Sequence, residues 1–429
     1  MRKYFNNIKG MVFSNTARDT YILFGGNVGA AFWGFLFTLL VARSLSISEF
    51  GVFSAVLNLV VILSSLSDLG VSSGAINFIS DHFSRGEITK SDEYIKASFL
   101  IRLWAVLILC LATFIFAPII STSLLATTNS KMGIWAAVVT IFWSLDLFFP
   151  FVFQAKKMFV KAVVYDNAYY IGRLLFAAAF YLIGGLTIDK AFWAFGAGFV
   201  VTAVLTFVFL KTNFLKSKPK KQEYQKLIKF SGWIGVNRIV SSISGKLDIQ
   251  MLAAMAGALA TGLYSIPSRL ANFIVVLSGS YSSVLATRLA SFGDREKEKT
   301  YILKSTLALI PITGGIILWI LLAKPFIIFL FGEKYLNSVP IFQALAASQI
   351  PFLFTVPAVS AIIYSMKKTI YIGTLSFFQL AAIFALNYYF IPKYGPFGPT
   401  ITFGITNTLL AIYVWFLVIK HYWFKQNNS

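Results

Sequence analysis

The sequence predicts an all-α polytopic membrane protein of about twelve transmembrane helices, and three observations predict it. Hydrophobic residues make up 58% of the chain and charged residues only 12%, against about 25% charged in a soluble globular protein. So few charges cannot cover a water-facing surface. Apolar runs of about twenty residues, the length that crosses the hydrocarbon core, recur along the whole chain. The links between those runs are alternately rich and poor in Lys and Arg, as the two faces of a membrane require.

Taken in order, the predicted spans are 21–42, 52–76, 97–117, 133–154, 162–184, 191–210, 231–256, 260–285, 304–323, 340–364, 369–391 and 398–419. The first is long enough to span and lacks a small-residue cleavage site, so no cleavable signal peptide is expected. The longest links, 77–96, 211–230 and 286–303, are charged and too short for a folded soluble domain. Tyr4–Phe13 and Tyr224–Phe230 interleave lysines with aromatic and aliphatic residues just before spans one and seven, a pattern of interfacial amphipathic helices. Gly25 with Gly26, Pro267, Pro311 with Gly314 and Gly315, and Pro351 with Pro357 mark expected bends.

Charge tests the count independently. Of 37 Lys and Arg, 26 fall in the two termini and the second, fourth and later alternate links, only 6 in the other links, and 5 inside spans. A missed helix would scramble that alternation downstream. It predicts both termini on the cytoplasmic side. It also accounts for the net charge of +21 by topology and attraction to membrane lipids, leaving no nucleic-acid partner to invoke. The lone Cys110 excludes an internal disulfide, and His82 and His421 lie too far apart in sequence to nominate a metal site. No cofactor is expected.

The chain reads as two similar halves, 1–215 and 216–429. At a constant offset of 211, Ala42 matches Ala253, Gly51 matches Gly262, Phe53 matches Tyr264 and Ser54 matches Ser265. Both stretches lie at the turn from the first to the second helix of a six-helix block, and Lys-rich 211–229 connects the blocks. An even number of helices per repeat keeps both halves in one orientation, an arrangement known in transporters that bind substrate between halves.

The stretch ARSLSISEFGVFS at 42–54, followed by SDLGVSSGAINFIS at 67–80, resembles the opening signature of bacterial oligosaccharide flippases, and KLDIQMLAAMAG at 246–257 with TGLYSIPSRL at 261–270 is similar to their second half. Length, topology and repeat resemble that family across essentially the whole chain. The family is the polysaccharide branch (O-antigen flippases) of the multidrug, oligosaccharidyl-lipid and polysaccharide exporters. The resemblance implies a MATE-like pair of six-helix bundles in the bacterial inner membrane. It implies export of undecaprenyl-diphosphate-linked oligosaccharide, with the polysaccharide polymerase machinery as a further partner.

Five cations fall inside spans: Arg102, Arg173, Arg238, Lys246 and Arg269. A charge at mid-bilayer costs about 2.5–3.5 kcal/mol on insertion scales, so each needs water or a partner. Read with the resemblance, they are candidate ligands for a lipid diphosphate, which arginine can hold bidentately. Arg102 and Arg269 have a competing role as snorkelling cations. Asp166 and Asp248 are candidates for charge pairing or ion coupling, Asp146 is expected to be structural, and Asp68 lies near a span's end. Asp166 and Arg173 share a helix face about 10 Å apart. Lys246 and Asp248, two apart, should point away from each other on one helix. Two other functions compete. A cation antiporter would want an acidic cavity, which a surplus of buried cations disfavours. A membrane polymerase needs a large outer loop with acid–base residues, and the outer links are short.

Overall fold

The computed structural model describes residues 15–210 and 213–424. Among the described residues there is no β-strand. The chain runs through α1 (Asn15–Ser44), α2 (Ile47–Asp68), α3 (Val71–Ser84), α4 (Ile88–Ile115), α5 (Ala117–Leu124), α6 (Lys131–Asp146), α7 (Phe148–Ala155), α8 (Phe159–Gly184) and α9 (Ile188–Leu210). It continues through α10 (Lys221–Ser244), α11 (Leu247–Leu289), α12 (Arg295–Leu307), α13 (Leu309–Leu321), α14 (Ala323–Phe331), α15 (Ser338–Ser348), α16 (Ile350–Ser360), α17 (Thr369–Tyr394) and α18 (Gly398–Ile419).

The protein is an all-α polytopic membrane protein. Among the described residues, nine stretches are long and apolar enough to cross a membrane. Two of them, Leu247–Leu289 with 43 residues and Ile370–Phe424 with 55, are about twice the length one crossing needs. Polar and charged residues dilute α8 and α10, which stand outside the nine. Side chains such as Leu182, Ile183 and Phe329, exposed by 82%, 84% and 78%, give the outer surface an apolar character that lipid satisfies. Tyr224–Phe230 forms the early turns of α10, with Leu227 fully buried and Ile228 exposed. Tyr4–Phe13 lies outside the described residues.

Three breaks in the helices set the positions of the charged side chains. The α2–α3 turn is Asp68-Leu69-Gly70, with Leu69 and Gly70 both left-handed at φ 48° and 74°. Gly70 is required twice over. Besides its φ, a Cβ there would lie 2.5 Å from Gly235 N and 2.6 Å from Ser231 O on α10. Reciprocally, a Cβ on Gly235 would lie 2.4 Å from Leu69 O. Backbone therefore meets backbone, and α10 is seated on this turn.

The second break corrects the sequence reading. Sequence pattern predicts a span seven continuous through 231–256, with Lys246 and Asp248 on opposite faces. The chain instead leaves helical geometry at Gly245–Lys246, and Lys246 takes φ −127° and ψ −3° as the residue capping α11. The spacing rule for one helix does not govern that pair. The third break is Gly257 (φ 84°, ψ −179°) inside α11, whereas Pro267 sits within continuous helix.

Packing divides the described residues into two compact units. Unit 1 draws on the described residues of 1–46, 56–121 and 128–242, and unit 2 on those of 47–55, 122–127 and 243–429. In unit 1, Ile79, Tyr94, Phe148, Val152 and Leu227 form a core joining α3, α4, α7 and α10. In unit 2, one core gathers Leu252, Tyr264, Ile341 and Leu345, and another gathers Leu285, Val356, Val414 and Tyr422. Unit 2 also contains a symmetric crossing. A Cβ on Gly51 would lie 2.0 Å from Ala258 O, and one on Gly262 would lie 2.0 Å from Ile47 O. Gly262 and Ala258 are Gly51 and Ile47 displaced by the same 211 residues. Residue i meets j while their counterparts meet in reverse, which is how a two-fold contact behaves.

Candidate functional site

In unit 1 the chemistry centres on Asp68, placed at the end of α2 by the left-handed turn that succeeds it. Its Oδ1 accepts a hydrogen bond from Arg102 Nη1 at 2.7 Å. Ser72, one turn on in α3, donates to the same oxygen and accepts from Arg102 Nη1 at 2.8 Å. Arg102 Nε donates to Ser144 Oγ on α6 at 3.1 Å, and Ser144 is 2.6 Å from Ser67. Both charged side chains are buried, at 3% and 8% exposure. Arg102 is thus an internal ion-pair member and does not snorkel.

The other oxygen of Asp68 faces Arg238 on α10, with Nη1 at 3.3 Å. That side chain is 43% exposed, and its guanidinium lies 5.6 Å from the Phe151 ring. One carboxylate therefore serves two guanidiniums. The cluster keeps a surplus positive charge, and the accessible member carries it.

Arg173 on α8 is handled differently. It is 7% exposed, and its guanidinium carbon lies 4.6 Å from the Phe37 ring, 5.3 Å from Tyr169, 4.4 Å from Tyr170 and 5.2 Å from Phe195. Four ring faces replace a carboxylate, an attraction worth about 2 kcal/mol or more when desolvated. Its Nε is buried with no hydrogen-bond partner among the described residues. Asp166 shares α8 with it, half-buried, and makes no ion pair with it. Asp146 is buried and accepts hydrogen bonds from Tyr165 and Thr202, joining α6, α8 and α9.

Unit 2 brings Asp248 and Arg269 each within electrostatic range of Lys246. Asp248, 3% exposed, accepts a hydrogen bond from Tyr264 Oη at 2.8 Å. Arg269 stands over the Phe50 ring at 5.8 Å. Sequence reasoning named the cations and placed Asp68 only near a span's end; it missed Ser72, Ser144 and the four rings around Arg173, and Tyr264, which donates to Asp248. Asp68 carried one signal, the Asp-Leu-Gly turn, whose glycine announces a helix break beside a carboxylate. The rings carried none.

A family model described as polysaccharide biosynthesis protein matches residues 16–290. The chain belongs to that family. Every candidate residue from Asp68 to Arg269 falls within the matched segment. Over 201 residues the chain is 25% identical to a candidate O-antigen transporter of Shigella flexneri, an alignment covering 46% of this chain and 47% of that protein. The chain thus spans about half the length of that relative. Two solved structures share the fold of this polysaccharide biosynthesis family member. Lipid II flippase MurJ in an inward closed conformation matches with TM-score 0.72 and 15% identity, covering 93% of this chain and 87% of that one. An inward-facing MATE-family multidrug transporter matches with TM-score 0.68 and 17% identity, covering 92% and 96%. Identities this low establish the fold alone, and that fold is the MATE-like one expected from the motifs. The matched proteins are transporters and flippases, not enzymes.

Proposed function

We propose that the chain is a flippase that moves undecaprenyl-diphosphate-linked oligosaccharide repeat units across the bacterial inner membrane by alternating access, supplying surface polysaccharide assembly. The observation that carries this reading is the sharing of Asp68 by Arg102 and Arg238. Arg102 is consumed by the buried pair, while Arg238 is half-exposed and only loosely held. A lipid diphosphate, a doubly charged anion, is what such a group would bind, and arginine can do so bidentately. Lys246 and Arg269 add two further cations against Asp248, and Arg173 adds a cation with no carboxylate partner. Asp166 and Asp248 then serve to position charge or to couple an ion. In this scheme 1–215 and 216–429 are the repeat halves, both termini are cytoplasmic, and the polymerase machinery receives the product.

Outward movement of negative charge is assisted by an inside-negative potential, by about 2.3 kcal/mol per charge per 100 mV. Arg238→Ala and Lys246→Ala are expected to leave the protein inserted at normal levels while lipid-linked repeat units accumulate on the cytoplasmic side. Normal surface polysaccharide in both variants would remove the site assignment. In vesicles, transport indifferent to both imposed potential and ion gradients would remove the drive.

A further inference from the structure

The first two turns of α1 and the start of α8 flank an open cavity of about 360 Å³ within unit 1. Its lining includes Arg18, Asp19 and Ile22 from α1, and Lys157, Val160 and Lys161 from the start of α8 and the turn before it. Three cations against one carboxylate leave a surplus of two positive charges. Among the described residues none of the three has an ion-pair partner, whereas the neighbouring Lys156 is tied to Asp92 at 2.9 Å. Lys157 is held left-handed, at φ 57°, in the turn that separates α7 from α8. No side chain caps the first N–H groups of α8, so the positive end of that helix faces the same end of the unit.

The surface beside the cavity is apolar and outward-facing. Val160 and Val164 on α8 are 55% and 44% exposed, and Tyr21 and Phe24 on α1 are 58% and 59% exposed. A free phosphate would use the cations and leave these side chains idle. A ligand with a phosphate head and acyl tails would use both. The cavity sits at the small end of the range for bound small molecules, about 300–1,000 Å³, and holds a headgroup rather than a whole lipid. Basic pockets between transmembrane helices are known headgroup sites. We propose that this cavity is a binding site for the headgroup of an anionic phospholipid of the surrounding bilayer. It shares no lining residue with the cluster on Asp68 and does not depend on the flippase reading.

The test is native mass spectrometry of the full chain in neutral detergent with added phosphatidylglycerol, phosphatidylethanolamine or inorganic pyrophosphate. Wild-type protein is expected to retain phosphatidylglycerol in preference to phosphatidylethanolamine. Each of Arg18→Gln, Lys157→Gln and Lys161→Gln should weaken retention by roughly five-fold. Lys131→Gln, Lys334→Gln and Lys393→Gln remove the same charge elsewhere and should change it by less than about two-fold on that scale. Equal losses in the two sets, or no preference over phosphatidylethanolamine, would overturn the proposal. Displacement of the lipid by pyrophosphate at matched concentration would also overturn it, making the cavity a site for a free phosphate compound. Thermal unfolding of each variant separates lost binding from lost folding, and exposed Lys157 provides a variant that leaves the packing intact.

Discussion

Arg102 and Arg173 belong to the same compact unit, are similarly shut off from solvent, and are tolerated by opposite means. Arg102 meets Asp68 at 2.7 Å, with Ser72 accepting from the same Nη1 and Ser144 from Nε. Arg173 meets four aromatic rings at 4.4 to 5.3 Å. The first solution cancels charge; the second shelters it. An arginine whose charge is cancelled attracts a passing anion less, and Arg102's contacts with Asp68, Ser72 and Ser144 tie α4 to α2, α3 and α6. A sheltered arginine keeps its full charge and can offer it. Arg238 falls between them, sharing a carboxylate already claimed and remaining 43% exposed. Where a cation stands in this fold therefore says less about its use than what it stands against.

The largest effect should come from removing the carboxylate. Asp68→Asn leaves Arg102 as an uncompensated buried charge, for which about 3–5 kcal/mol of destabilisation is expected. Purified protein should unfold at a markedly lower temperature, and its yield should fall. Adding Arg102→Met should restore most of the loss, because a well-packed apolar replacement of a buried pair is often neutral or better. Arg238→Gln alone should cost under about 1 kcal/mol, as exposed pairs do. If the double variant is no more stable than Asp68→Asn, the pair is not what fixes Arg102, and the contrast with Arg173 collapses.

How much of this could be read from the chain depends on which forces are local. The helices were legible because apolar run length and the alternation of lysine-rich links are properties of sequence. The 211-residue offset was legible too, and the structure gives it content: repeat-related Gly51 and Gly262 approach each other's backbones reciprocally. The intramembrane cations could be named because charge in an apolar run is conspicuous. Their partners could not. Phe37, Tyr169, Tyr170 and Phe195 come from α1, α8 and α9, and in sequence they are ordinary apolar residues. Asp68 stood at a span's end, and its contact with Arg102 joins α2 to α4, 34 residues apart in sequence, which no local pattern announces. For Lys246 and Asp248, the break at Gly245–Lys246 removes the continuity that the helix-spacing rule assumes, so the rule does not apply to them.

A smaller effect sharpens the comparison from the other side. The rings around Arg173 are expected to contribute through its charge as well as through packing. In a double-mutant cycle of Phe37→Leu with Arg173→Met, read by thermal unfolding, the coupling should be about 1–2 kcal/mol. Each single variant also loses packing, which the cycle cancels. Zero coupling would mean that the rings surround Arg173 without attracting it, and that its charge is balanced elsewhere.

The smallest effect concerns a pair outside the spans, where exposure rather than partner type should decide the outcome. His82 Nδ1 lies 2.6 Å from Glu87 Oε2 in the turn between α3 and α4, with the carboxylate 40% exposed. The hydrogen bond with His82, helped by Lys90 and Arg85, holds the Glu87 carboxyl below its ordinary 4.5. A lowered carboxyl stabilises the fold above its ordinary value and loses that contribution as pH falls through the lowered one. Hydrogen exchange at residues 82–91 should accordingly be slower in wild type than in Glu87→Gln at pH 7, with the difference gone once the carboxylate is protonated. Because water already solvates this group, global unfolding should barely register the substitution. A global loss as large as that of Asp68→Asn would mean that burial is not what separates strong pairs from weak ones here, and the distinction drawn between Arg102 and Arg238 would fall with it.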